Sequence, residues 1–167
     1  IKLASIEDLI SYRLKYEKLI LRSSSINISS KKLGKLMLYN YINKLENNYN
    51  FVIAKGKLNQ KKSIPVRVIS GKITKKNILK NNKVKKSLKY LTKYKNFLLL
   101  IINNINKTSK DKNINTLRYY GIGAQIIKDL KIKKMILITK SAKKVIGLDG
   151  YDIKITKQEL IWWKKIS

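Results

Sequence analysis

The groups that carry most enzyme chemistry are missing from this sequence. Its 167 residues include no histidine and no cysteine. A histidine base, a cysteine nucleophile and a zinc site built from sulfur and imidazole donors are therefore excluded. Carboxylates are sparse: nine acids stand against 39 lysines and arginines, for a formal charge of +30. None of the nine falls between Glu46 and Asp111. Cations are what remains in abundance, and a surplus this large attracts polyanions without specificity. Phosphate-bearing ligands, nucleic acid and anionic membrane surfaces are the candidate partners. Two origins of the charge stay open. It is either selected for polyanion binding or the product of compositional drift, since the excess is spread along the chain and not set in one block. Tyr39, Tyr41 and Tyr49 offer rings on which bases can stack. No recognised nucleic-acid motif accompanies them, and charge alone gives salt-sensitive, sequence-blind binding. The lack of cysteine also removes any disulfide, which is compatible with a reducing compartment; a cytoplasmic location is expected.

Cationic groups need a scaffold to focus them. With 44% apolar residues the chain can build one proper core. It has no apolar run of about 20 residues that would span a membrane and no visible signal peptide. Ser5 and Asp8 have the spacing of a capping box. Leu9, Tyr12, Tyr16 and Leu19 then recur at helical spacing, which predicts a helix over 6–20. The serine-rich stretch 23–32 reads as a linker. Residues 35–41 and 49–55 read as a hairpin turning at Glu46-Asn47-Asn48. A third strand covers 64–69, with Pro65 near its start. Val84, Leu88 and Leu91 space a lysine-faced helix over 76–94. The apolar run 97–102 is a strand buried on both faces, and the polar stretch 103–115 a loop. Residues 117–130 form a helix with Tyr120, Gly123, Ala124, Ile127 and Leu130 on one side. A buried strand over 135–139 and a short one over 153–155 follow. Trp162 and Trp163 pack on the core or on a partner. The predicted fold class is α+β or mixed α/β: antiparallel strands first, then alternating helix and strand with a partly parallel sheet.

The run Leu117-Arg118-Tyr119-Tyr120-Gly121-Ile122-Gly123-Ala124-Gln125-Ile126-Ile127-Lys128-Asp129-Leu130 resembles the signature helix of GTP cyclohydrolase II. Ile136-Leu137-Ile138-Thr139, Lys143-Lys144 and Gly147-Leu148-Asp149-Gly150-Tyr151 follow in the same register, so the likeness covers 117–156. Nearer the start, Ser5-Ile6-Glu7-Asp8-Leu9-Ile10-Ser11-Tyr12-Arg13 is similar to another segment of the fused riboflavin-biosynthesis proteins. That segment ends the 3,4-dihydroxy-2-butanone 4-phosphate synthase domain and leads into the cyclohydrolase domain. The resemblance implies three parts: the end of an upstream synthase domain over 1–22, a linker over 23–34, and a GTP cyclohydrolase II-like domain over 35–167. A first residue of Ile1, not methionine, fits a piece of such a fusion. A homodimer is also implied.

The same resemblance locates departures from the family's chemistry. Where the family carries three zinc-binding cysteines, residues 70–76 read Ser-Gly-Lys-Ile-Thr-Lys-Lys. Where it carries a glycine- and arginine-rich segment, 103–115 is a lysine–asparagine loop. Arg118 keeps the position given a nucleophilic role. Thr116 stands where the family has a proton-transferring acid, and its hydroxyl cannot take a proton at neutral pH without an activating base. Thr139 and Lys144 match the phosphate-contacting threonine and lysine, with Lys140-Ser141-Ala142 in place of Asn-Asn-Pro. The expectation is a domain that binds no metal or cofactor and has lost GTP hydrolysis. It would serve as a structural or regulatory appendage of the synthase. Two alternatives remain: a phosphate- or nucleotide-binding enzyme domain using Arg118, Thr139 and Lys144, and a basic nucleic-acid-binding module.

Overall fold

Alternation of apolar side chains at period two dominates the middle of this chain, and it builds a seven-stranded sheet. The structure is a computed structural model and describes residues 3–58, 61–103, 112–142, 144–145, 148 and 150–161. The elements run α1 (Ile6–Tyr16), β1 (Ile20–Ser30), β2 (Gly34–Asn43), β3 (Asn48–Lys55), β4 (Ile64–Gly71), α2 (Asn82–Leu91), β5 (Phe97–Asn103), α3 (Lys112–Asp129), β6 (Lys134–Thr139) and β7 (Lys154–Leu160). Strands lie in the order β1-β2-β3-β5-β4-β6-β7. The pairs β1–β2, β2–β3 and β3–β5 are antiparallel. The pairs β4–β5, β4–β6 and β6–β7 are parallel. The mixed class read from the pattern is the one observed.

β5 shows how one sheet serves two cores. Its even residues Leu98, Leu100 and Ile102 pack with Ile122, Ile126 and Ile127 of α3. Its odd residues Phe97, Leu99 and Ile101 pack with Val84, Leu88 and Leu91 of α2. A strand covered on both faces needs an unbroken apolar run, which is why this one was plain in the sequence. The chain leaves β4 through α2 to reach β5 on one side, then returns through α3 to reach β6 on the other. Strand order therefore reverses at β4. In open α/β sheets such a reversal opens a crevice at the carboxyl ends of the strands.

Several expectations shift at the element ends, and one fails. The segment 23–34, read as a linker, is mostly strand β1, followed by a turn into β2. Ser24, Ile26, Ile28 and Ser30 point inward in alternation with exposed neighbours, and the serines concealed that period. The first helix stops at Tyr16 because Glu17 turns extended and caps it. α2 begins only at Asn82, where the Asn81 side chain accepts hydrogen bonds from the Lys83 and Val84 amides. α3 starts at Lys112, so the end of the expected 103–115 loop is its first turn. Residues 104–111, Lys143, Gly147, Asp149, Trp162 and Trp163 lie outside the described residues. No described helix is long and apolar enough to cross a membrane.

α1 belongs to the packed body. Its N-terminus carries the capping box anticipated from Ser5 and Asp8. Leu14 is buried against Gly121 of α3, where a β-carbon would sit 2.6 Å from its Cδ1. The Gln125 side chain donates to the Leu14 and Glu17 carbonyls and accepts from the Leu19 amide. The Tyr151 hydroxyl donates to the Leu14 carbonyl.

Candidate functional site

At the strand-order reversal lies a cleft of about 470 Å³. β4 supplies Arg67 and Ser70, α2 supplies Asn82, Lys83, Lys86 and Ser87, and α3 supplies Tyr119. Thr139, Lys140 and Ser141 close it where β6 ends.

Arg67 is the central group. Period-two alternation places it on the α2 face of β4, between Pro65 and Ile69, where the other inward residues are apolar. It is 5% exposed. Its Nε donates to Ser87 Oγ at 2.9 Å and its Nη1 to the Ile138 carbonyl at 3.4 Å. Among the described residues no carboxylate lies within ion-pair distance of it. Burial lowers its pKa, opposed by the neighbouring Tyr119 and Tyr90 hydroxyls; a guanidinium nonetheless stays charged in proteins. A buried cation with no counterion is costly, and an anion in the cleft would remove that cost. Burial pushes the Tyr119 hydroxyl well up, and the Tyr120 hydroxyl adds to this while Arg67 opposes it. Tyr119 is therefore a neutral donor at any physiological pH. Lys83 Nζ donates to the Ser70 carbonyl at 3.2 Å and so leans over the mouth from the first turn of α2. Every one of these groups favours a negatively charged guest.

The residues singled out from the sequence fall in different places. Thr139 lines the cleft, 5% exposed, with its hydroxyl donating to the Ser141 carbonyl at 2.9 Å. Lys144 is exposed and Arg118 half-buried on α3, and neither is among the lining residues. Thr116 spends its hydroxyl on the Lys112 carbonyl at 2.8 Å, within the first turn of α3. Arg67, Lys83 and Lys86 were not anticipated. A lone arginine inside the apolar run Ile64-Pro65-Val66-Arg67-Val68-Ile69 was the available signal. In the stretch 70–76, Ile73 is buried and its amide donates to Asn103 Oδ1 at 2.9 Å. The cleft offers hydroxyls, an amide, ammonium groups and a guanidinium. Among the described residues no three acidic, histidine or cysteine side chains gather closely enough to hold a metal ion.

Comparison with known proteins fits this architecture. Residues 81–159 match the family model for GTP cyclohydrolase II. The chain is 30% identical to the riboflavin biosynthesis protein RibBA of Chlorobium phaeovibrioides, over 95% of this chain and 45% of that protein. It is 27% identical to RibBA of Bacillus mycoides, over 95% and 47%. The chain thus spans about half the length of the curated relatives it matches. The crystal structure of RibBX from A. baumannii, a two-domain 3,4-dihydroxy-2-butanone 4-phosphate synthase, shares the fold. The TM-score is 0.62 at 24% identity, over 95% of this chain and 45% of that one. The chain is thus a GTP cyclohydrolase II-like domain, similar to the matching half of the RibBA riboflavin biosynthesis proteins.

Proposed function

We propose that this domain no longer hydrolyses GTP and serves as a structural or regulatory appendage of a 3,4-dihydroxy-2-butanone 4-phosphate synthase. The observation that carries the reading is the donor set of the cleft. Zinc in proteins is held by thiolate, imidazole and carboxylate, and the described lining has none of the three. Ammonium and guanidinium groups stand there instead and repel a divalent cation. The residues present do not fit the metal that the family resemblance implies, so no hydrolytic step is derived through it. The packing does not share in this loss: a buried apolar cluster covers each face of the sheet and α3 seats closely on β5. A domain kept for its shape has this character. The experiment is incubation of purified protein with GTP and zinc, followed by chromatography of the nucleotide. No loss of GTP above background is expected; turnover would overturn the proposal.

A second reading concerns what the cleft retains. Buried Arg67, with no carboxylate within ion-pair distance among the described residues and flanked by Lys83, Lys86 and the Tyr119 hydroxyl, favours a residual phosphate site. In this reading Thr139 shapes the floor through its bond to Ser141. Arg118 and Lys144 play no part in it.

A further inference from the structure

α1 is apolar around more of its circumference than the domain uses. One side is fixed to α3 through Leu14 and Gln125, and to the segment ahead of β7 through Tyr151. The other side carries Ile6, Leu9, Tyr12 and Tyr16, which are 57–69% exposed, and Leu3 just before the helix is 94% exposed. The Tyr12 and Tyr16 rings touch, with centroids 4.6 Å apart, so the stripe is continuous towards the end of the helix. A grouping of large apolar side chains on one exposed face marks an interaction surface. A lone helix with two apolar faces is one that two bodies share.

The charge pattern says what kind of body. Residues 3–17 hold three acids and two cations, a formal charge of −1 within a chain of +30. Lys15 Nζ lies 5.4 Å from the Tyr16 ring centroid, but α1 itself carries none of the chain's cation surplus. A second copy would bring another +30 with it, and self-repulsion at that charge opposes association. The proteins this chain matches are about twice its length, and the matched solved structure has two domains. Resting on the function proposed above, we infer that the exposed stripe of α1 is the docking face for the synthase domain. α1 is then a rigid bolt between two domains, one side gripped by α3 and the other by the synthase.

Hydroxyl-radical footprinting of the full-length protein beside the 167-residue chain tests this. Tyr12, Tyr16 and Leu9 are expected to oxidise roughly tenfold more slowly in the full-length protein. That is about the ratio of their present exposure to the 5% of a core side chain such as Leu14. Tyr49, 54% exposed on β3, is the internal control and should not change. Leu9→Glu in the full-length protein should restore oxidation at Tyr12 and Tyr16; its site is exposed, so the fold is retained. Equal rates in the two proteins would overturn the inference. So would protection that appears in the 167-residue chain alone as its concentration rises, since a second copy would then be the occupant. Formation of 3,4-dihydroxy-2-butanone 4-phosphate by the same full-length sample separates the two claims. Activity without protection sinks the docking face and leaves the functional reading; protection without activity does the reverse.

Discussion

Glu159 near the end of β7 is where a single substitution should most clearly weaken the grip on α2. Its carboxylate accepts hydrogen bonds from the Tyr90 hydroxyl, the Lys93 ammonium and the Tyr94 hydroxyl, the last at 2.5 Å. Tyr90 is on the last turn of α2 and Lys93 and Tyr94 lie two and three residues beyond its end, so the cluster holds the far end of the helix that carries Lys83 and Lys86. Burial by itself would raise the Glu159 pKa, but the three donors outweigh it and pull it from 4.5 down to about 2. At about 1.4 kcal/mol per pH unit the shift is worth about 3 kcal/mol. The Glu159 side chain is 20% exposed and that of Lys93 47%, so solvent screening reduces this to about 2 kcal/mol. Glu159→Gln should therefore lower unfolding stability at pH 7 by about 2 kcal/mol, or about 4–8 °C in Tm for a domain of this size. Because the folded-state pKa is depressed, the contribution is complete above the unfolded value of about 4.5. It is lost as pH falls towards 2. Urea titrations followed by circular dichroism should show a constant gap between wild type and variant from pH 7 to 5, closing between 4.5 and 2. Lys93→Met should cost less than about 1 kcal/mol, because a half-exposed ion pair contributes little. A gap at pH 7 below about 0.5 kcal/mol, or one that persists unchanged at pH 3, would refute the electrostatic account.

Two further outcomes follow from the packing and the cleft. Inorganic phosphate should stabilise the wild type by up to about 2.7 kcal/mol at a hundredfold excess over Kd, and so raise its Tm above that in chloride of equal ionic strength. Arg67→Met should abolish the phosphate-specific part, as read by differential scanning fluorimetry. Gly121→Ala places a methyl 2.6–2.9 Å from the Leu14 side chain and should cost about 1–3 kcal/mol by overpacking. In a Leu14→Ala background the same change should cost under about 0.5 kcal/mol, since the two sites share one contact; urea unfolding of the four proteins measures the coupling.

Much of the fold could be read in advance because its signals were local. Phe97 to Ile102 is an unbroken apolar run, and it became the central strand. Glu46, Asn47 and Asn48 gave the hairpin turn, and Asn47 takes the left-handed backbone that asparagine tolerates, at φ 49°. β1 was missed because its inward positions include Ser24 and Ser30, so polarity concealed the alternation that Ile26 and Ile28 carry. The site was harder. Thr139 stands in register beyond the signature helix, and its side chain lines the cleft. Arg67 was passed over because a strand pattern tolerates one polar residue without comment. Only the fold shows that it faces α2, with Ser87 on one side and the end of β6 on the other. Lys83 and Lys86 were indistinguishable from the other lysines of α2 until helix phase and the position of β4 were known.

The outer border of the sheet at β1 has a consequence for handling the protein. Free strand edges invite another chain to zip on, and lysines commonly guard them. β7, the opposite border, has Lys154 and Lys157. β1 has Arg22 as its one cation, followed by eight residues of serine, isoleucine and asparagine. Its guard is the collective repulsion of the whole chain, and such repulsion acts only across the Debye length, about 10 Å at 0.1 M salt and 3 Å at 1 M. Concentrated salt, the usual remedy for keeping a strongly basic protein off columns and nucleic acid, will here bare the β1 border and encourage strand-to-strand polymerisation.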